Sequence, residues 1–264
     1  MSGRDRLKMA RKGSVEPFAT LRCDALLLAA CTLPAAGLRA VLLANANWVP
    51  NPRGAPGGKA VLSYQQILFP RGIREAFDSP APAGLGRSAV AEGLRQAEQA
   101  GWLIRLRNGT RPGTAGSAIG AATEWDVPHR HGAAAPRLVW PSGMPRAPEG
   151  KIRLHAERIR QDVATLTPNT LRVFAYMLSH GDRTAEGALA GGEEFPLSAS
   201  VLQKRTKLSR AIIHKAIQEL IAARKLFLCQ AGVGRKAATY RLARAYQRFS
   251  KNHPGKGSGE ERGD

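Results

Sequence analysis

Hydrophobic positions recur at helical spacing in two blocks of the chain, residues 33–128 and 166–245, and each block runs through the same order of segments. Leu38, Val41 and Leu42 behind Pro34, and Leu171, Phe174 and Leu178 behind Thr167-Pro168, predict one amphipathic helix apiece. Proline is tolerated there because the first turn of a helix has no bond for its missing N–H to lose. Thr167 is suited to cap its helix, with Leu166 packing on Leu171. A Gly-Gly pair then precedes a short apolar strand: Gly57-Gly58 before Val61-Leu62, and Gly191-Gly192 before Phe195-Pro196-Leu197. Ser63 and Ser198 follow as N-caps of short helices, from Tyr64 to Leu68 and from Ala199 to Arg205.

The next segments align without a gap, Arg87 to Ile104 against Arg210 to Phe227. Val90, Leu94 and Ala97 match Ile213, Ile217 and Leu220, giving each helix one narrow apolar stripe. The other faces carry Arg87, Ser88, Glu92 and Arg95 in one block, and Arg210, His214, Lys215 and Gln218 in the other. A solvated surface would explain either face alone. The same placement twice favours donors and acceptors set out for base edges. Two strands joined by a Gly-containing loop close each block, Trp102 to Arg107 with Thr123 to Val127, and Leu226 to Leu228 with Thr239 to Leu242. Arg105, Arg107, Arg111, Arg235, Lys236 and Arg241 place positive charge at the tips and edges of these hairpins.

With Arg87-Ser88-x5-Leu94-x6-Gly101-Trp102-Leu103 and a basic Gly-rich hairpin behind it, the pattern resembles the recognition helix and wing of bacterial winged helix-turn-helix regulators. The tandem arrangement resembles plasmid replication initiators built from two such domains. The resemblance implies an α+β fold, mainly α with small β-wings, in two winged-helix domains. Each third helix would lie in a major groove, and each wing on the backbone or in the minor groove. Two features depart from the pattern: an insertion from Phe69 to Leu85, and Arg224 where the first block has Gly101.

Outside the blocks, residues 1–17 read as a flexible arm, basic through Arg4, Arg6, Lys8, Arg11 and Lys12. Phe18, Leu21, Ala25 and Leu28 predict a helix that packs on the first domain (18–128) or forms a dimer surface. A Pro-, Gly- and Ala-rich linker spans 129–150. Ile152, Ile159 and Val163 predict a helix leading into the second domain (151–245), and 246–264 read as a disordered tail.

Forty Lys and Arg against twenty Asp and Glu leave a net charge of +20, which suits a polyanion partner. The expected function is sequence-specific binding of double-stranded DNA by a transcriptional regulator of a bacterium or mobile element. A plasmid-type replication initiator and a non-specific nucleoid or RNA-binding protein are the alternatives. Homodimerisation or contact with the replication or transcription machinery fits the first two uses. Half-sites about 10–10.5 bp apart are expected, differing in sequence because the two helices present different side chains.

Other chemistry is not called for. Cys23, Cys31 and Cys229 form no paired framework. Leu28-Ala29-Ala30-Cys31 looks like a lipoprotein cleavage site, but the apolar run from Ala25 to Ala30 is shorter than a secretory segment and reads as buried helix. A cytoplasmic, nucleoid-associated protein without a membrane partner is expected. Residues 53–60 imitate a phosphate loop yet have Ala60 where Mg²⁺ would need a hydroxyl. His129 and His131 read as solvated residues of the linker, and no carboxylate pair or nucleophile with its base is evident. Neither an enzyme, a cofactor nor a metal is expected, and no pattern marks an effector pocket.

Overall fold

The computed structural model describes residues 18–51, 57–69, 85–109, 122–130, 151–180, 194–233, 236–243 and 246. Eight α-helices and nine strands lie among the described residues, and every strand pairing is antiparallel. The class is α+β with small sheets, as expected. No helix among the described residues is long and apolar enough to cross a membrane.

The chain begins with β1 (Phe18–Arg22) and α1 (Cys23–Thr32), where one continuous helix was expected. Ala19 and Leu21 are buried while their neighbours are half-exposed, a period of two that only a strand satisfies. The partner is β6 (Lys151–His155), where Ile152 was expected in a helix and instead alternates inward with Leu154. Asp24 lies in the first turn of α1, accepts from Arg22 Nε at 3.1 Å, and complements the positive end of the helix. The helix stops at Leu33 because Pro34 disfavours helical backbone in the residue before it. Pro34 then stands at the N-cap of α2 (Ala35–Ala46).

After β6 the same order returns, with α5 (Ala156–Thr165) and α6 (Pro168–His180). Counterparts stay in step: Phe18 with Lys151, Cys23 with Ala156, Leu33 with Leu166 and Leu38 with Leu171 are all the same number of residues apart. In the β1–β6 pair Thr20 faces Arg153, its own counterpart, while Phe18 faces His155 and Arg22 faces Lys151. The register therefore has a two-fold axis through its centre. The helices obey the same exchange, α1 packing on α6 and α2 on α5, with α2 also against α6. Enclosed in this way, α2 is buried from Ala36 to Ala46, so the amphipathic face expected for it closes into a helix buried all round.

Each half continues with a strand, two helices and a hairpin. In the first these are β3 (Gly58–Leu62), α3 (Tyr64–Leu68), α4 (Arg87–Gln99), β4 (Ile104–Arg107) and β5 (Thr123–Asp126), with β2 (Trp48–Pro50) added at the edge. In the second they are β7 (Phe195–Leu197), α7 (Ala199–Thr206), α8 (Arg210–Ala222), β8 (Leu226–Gln230) and β9 (Ala238–Leu242). The sheet orders are β2-β3-β5-β4 and β7-β9-β8, so the last strand of each hairpin is central in both. A register shift falls between Arg105 and Arg107 in β4 and between Leu228 and Gln230 in β8, at matching places. The predicted stripes Val90, Leu94, Ala97 and Ile213, Ile217, Leu220 are all buried.

Backbone groups at the helix ends find specific partners. Ser63 Oγ accepts from Gln66 N at 3.1 Å and Gln66 Oε1 accepts from Ser63 N at 2.7 Å, a capping box. Ser198 holds the equivalent place, but its hydroxyl meets Ser200 Oγ at 2.6 Å and does not cap the helix. Arg39, fully buried, donates through Nη2 to the Ile67 carbonyl at 3.1 Å. Its counterpart Arg172 donates to the Thr206 carbonyl at 3.2 Å and, across the two halves, to the Leu33 carbonyl at 2.5 Å. Arg160 donates to the Ala46 carbonyl at 3.0 Å, tying the end of α2 to α5. Thr167 caps α6 as expected and also donates to Glu219 of α8 at 3.0 Å.

Two expectations for the chain between and after the blocks are corrected. His129, read as solvated, belongs to a 3-10 turn (Pro128–Arg130) and is buried with its ring 4.6 Å from that of Trp102. Burial, with Arg22 nearby, pushes its imidazole down to about 4, so it is neutral. Tyr246, read as the first residue of the tail, is buried perpendicular to Phe174 with ring centroids 5.0 Å apart, and donates to Asp162 Oδ1 at 2.8 Å. Lys225 binds the same carboxylate. Burial pushes the Asp162 carboxyl up, and these two donors pull it back.

Two glycines let α2 and α4 touch: a Cβ on Gly93 would stand 2.5 Å from Gly37 N and 2.8 Å from Ala36 C, backbone atoms that cannot step aside. Gly93→Ala is expected to destabilise the fold by about 1–3 kcal/mol through overpacking, although alanine is the better helix former. Urea unfolding checks this, and an unchanged midpoint would show that the helices are not in close contact. Arg224, the departure from the first block, adopts φ 54° where Gly101 adopts φ 73°, so both chains turn the same way after their helix. Left-handed backbone costs a non-glycine residue roughly 1–2 kcal/mol. Arg224→Gly is accordingly expected to raise stability by about 1 kcal/mol, read as a higher melting temperature.

Candidate nucleic-acid interface

Packing on α2 and α6 buries one stripe of α4 and α8 and leaves the rest in solvent. Arg87, Ser88, Glu92 and Arg95 are all exposed on α4, as are Arg210, His214, Lys215 and Gln218 on α8. The faces expected from the sequence are therefore brought to the surface as two groups, one in each half. Arg87 and Arg210 stand at the first residue of their helices, behind Gly86 and Ser209. Ser209 Oγ accepts from Ile212 N at 3.4 Å.

The two faces differ in charge at two positions, where Glu92 and Arg95 of α4 correspond to Lys215 and Gln218 of α8. Glu92 accepts from Arg95 Nε at 2.8 Å and from Gln96 Nε2 at 2.6 Å. These donors pull its carboxyl down to about 2. Arg95 is thus held by a neighbour one turn back. On α8, Arg210, His214, Lys215 and Gln218 form no side-chain hydrogen bond or ion pair with any described residue.

Of the hairpin cations, Arg105 is drawn back onto the body. It donates to Glu98 Oε2 at 2.7 Å and to Asn108 Oδ1 at 3.2 Å, and its guanidinium lies 5.1 Å from the centre of the Trp125 ring. Its place is a brace between α4 and β4, in contrast to the free edge charge expected. Arg107 and Lys236 are exposed without such a partner among the described residues, and Arg241 lies 6.0 Å over Phe227. Arg111 and Arg235 fall outside the described residues, as do 1–17, most of the Phe69–Leu85 insertion, 131–150, Gly191-Gly192 and the chain beyond Tyr246.

Three further cations join the second face that sequence reasoning passed over. Lys204 in the last turn of α7, Lys207 at φ 59° after it, and Arg224 are exposed beside α8. The sequence signal for Lys204 and Lys207 was the short Lys207-Leu208-Ser209 turn between two helices, which brings them next to the start of α8, while Arg224 follows its far end. Across residues 194–243 ten basic side chains stand against two acidic ones, whereas residues 57–127 hold eight against six. The second half is the more positive by a wide margin.

Among the described residues no three His, Cys, Asp or Glu gather to hold a metal ion. A cavity of about 20 Å³ lies at the junction of the halves, between Leu21 and Leu42 on one side and Leu154, Val163 and Phe174 on the other, and another of about 20 Å³ lies within the first half beside Trp102 and His129, each with room for about one water. No protein family model, no curated protein and no solved structure matches the chain.

The Glu92 cluster is open to direct measurement. In an NMR pH titration the Glu92 carboxyl is expected to titrate near pH 2, and Arg95→Ala to return it toward about 4.3. A wild-type midpoint already near 4.3 would show that Arg95 swings free in solution.

Proposed function

We propose that the chain is a sequence-specific double-stranded DNA-binding protein made of two winged-helix units in tandem, acting as a transcriptional regulator. The observation that carries this reading is the repeated order of helix, strand, two helices and hairpin. In both halves the last strand of the hairpin is central, the bulge lies at the same place, and the left-handed turn follows the third helix. An arrangement of this kind leaves the third helix and the hairpin edge exposed side by side, α4 with β4 and α8 with β8.

The division of labour follows from the chemistry of each group. Arg87 and Arg210, at helix starts, suit the paired acceptors of guanine in the major groove. Gln218 and His214 offer further donors on the same face. Arg107, Lys236, Lys204 and Lys207 suit phosphates, which position the protein without reading sequence. A protein binding through charge alone would need none of the apolar anchoring that fixes α4 and α8 in matching orientations.

Selection of duplexes from a random pool by the full chain tests the reading. A winning site is expected to bind at least about 10³-fold more tightly than a scrambled duplex at physiological salt. Arg210→Ala is expected to lose about 1–3 kcal/mol on the winning site and to relax preference at one base pair. Equal binding of scrambled and selected duplexes would leave only a non-specific polyanion binder.

A further inference from the structure

We infer that Glu219 is a positioning residue for α8: its carboxylate fixes the angle at which that helix is presented, and so the selectivity of its polar face, without itself touching DNA. This role rests on the DNA-binding reading above and adds a residue that sets its specificity. Glu219 follows Gln218 on α8 and is half-buried against α6. Donors at the start of α6 converge on it. Thr167 N donates to Oε1 at 3.0 Å, Thr167 Oγ1 to Oε2 at 3.0 Å and Thr170 Oγ1 to Oε2 at 2.6 Å. Thr170 is buried, and a carboxylate at the positive end of α6 gains from the helix dipole as well as from these bonds.

An apolar stripe alone does not fix a helix to this degree. Burial of apolar surface is non-directional, and ridges packed into grooves leave crossing angles a scatter of about 15–20°. From Arg210 to Glu219 the helix runs about 13 Å. A swing of about 15° at Glu219 would therefore carry Arg210 about 3 Å, enough to break a hydrogen bond to a base edge. Just past the helix Lys225 binds Asp162 of α5, so α8 is fastened by directional bonds at two places. Two such points define a line, whereas either alone leaves a pivot.

The first half holds its third helix differently at the same positions. The counterparts of Thr167, Thr170 and Glu219 there are Pro34, Gly37 and Gln96. Pro34 has no N–H to give, Gly37 has no hydroxyl, and Gln96 bonds Glu92 on its own helix at 2.6 Å. Instead Gly37 and Gly93 bring two backbones together, and a Cβ on Gly37 would stand 2.9 Å from Gly93 O. The second half has Thr170 and Ala216 in those places, so its helices cannot approach as closely and the Glu219 carboxylate spans the difference. Backbone contact locates α4, and Glu219 locates α8. Capping of α6 does not call for a residue from another helix, since Thr167 Oγ1 already accepts from Thr170 N at 3.4 Å.

The test uses the full chain with Glu219→Ala, Glu219→Gln and, as the control at the matching position, Gln96→Ala, each first shown by its melting curve to be folded at the assay temperature. Residual dipolar couplings of backbone amides report the angle between α6 and α8 without DNA. Glu219→Ala is expected to turn α8 against α6 by about 10° or more. Glu219→Gln, which still accepts and donates hydrogen bonds there, is expected to stay near the wild-type angle, and Gln96→Ala to leave α2 and α4 unmoved. On the duplex selected above, Glu219→Ala is expected to bind at least about 10-fold more weakly, with affinity for a scrambled duplex unchanged within about two-fold. A residue that only stabilises the fold would move neither the angle nor that ratio. Should Glu219→Ala fail to fold, Thr170→Val removes the shortest of the three bonds at nearly the same volume, and the same shifts are expected of it. An unmoved helix, or a selected-to-scrambled ratio within about two-fold of wild type, overturns the role of Glu219. Failure to enrich any sequence would strike the DNA-binding reading alone, because the couplings still decide whether Glu219 sets the angle of α8.

Discussion

Antiparallel pairing of β1 with β6 is the contact on which the rest of the molecule depends. A two-stranded ribbon is marginal alone, and this one stands because its inner face, Ala19, Leu21, Ile152 and Leu154, is covered by the helices that follow each strand. A slip of one residue would turn the two inner side chains of the slipped strand outward. The register is therefore held by burial on one face, and through it the orientation of everything attached to α2 and α6. Since the strands precede different blocks of the chain, neither half completes its core without the other.

Polar groups within the halves and across that junction engage several of the basic residues. Arg39, Arg160 and Arg172 are engaged with carbonyls at helix ends, and Lys225 with Asp162. Each satisfies a group that would otherwise lose its water without gaining a partner. Net charge is consequently a poor guide to which cations meet a ligand. Among the described residues, many of the cations exposed without acidic partners lie on and around α8, which is why the halves, alike in backbone, differ in electrostatics.

Much of the local structure was legible in the residues. The aligned stripes of α4 and α8, the Ser63 cap, the Thr167-Pro168 start and the exposed faces around Arg87 and Arg210 follow from spacing and side-chain chemistry within a few residues. Long-range effects were not. Phe18 to Arg22 and Lys151 to His155 are strands only because each finds the other, so a helical reading of Phe18, Leu21, Ala25 and Leu28 was locally reasonable. Gly37 and Gly93 carry no mark of their contact, because close approach of two helices is a property of the pair. His129 and Tyr246, placed in a linker and a tail by composition, are buried by Trp102 and Phe174, which lie far away in sequence.

By itself the chain specified that a unit is repeated, where its helices run and which faces stay polar, because those properties depend on neighbours one or two turns away. Only tertiary structure decided how the two units are joined and that they face each other about a two-fold axis. Those outcomes depend on which surfaces meet across the fold, and distances between residues remote in sequence are set by the packing of all the elements together.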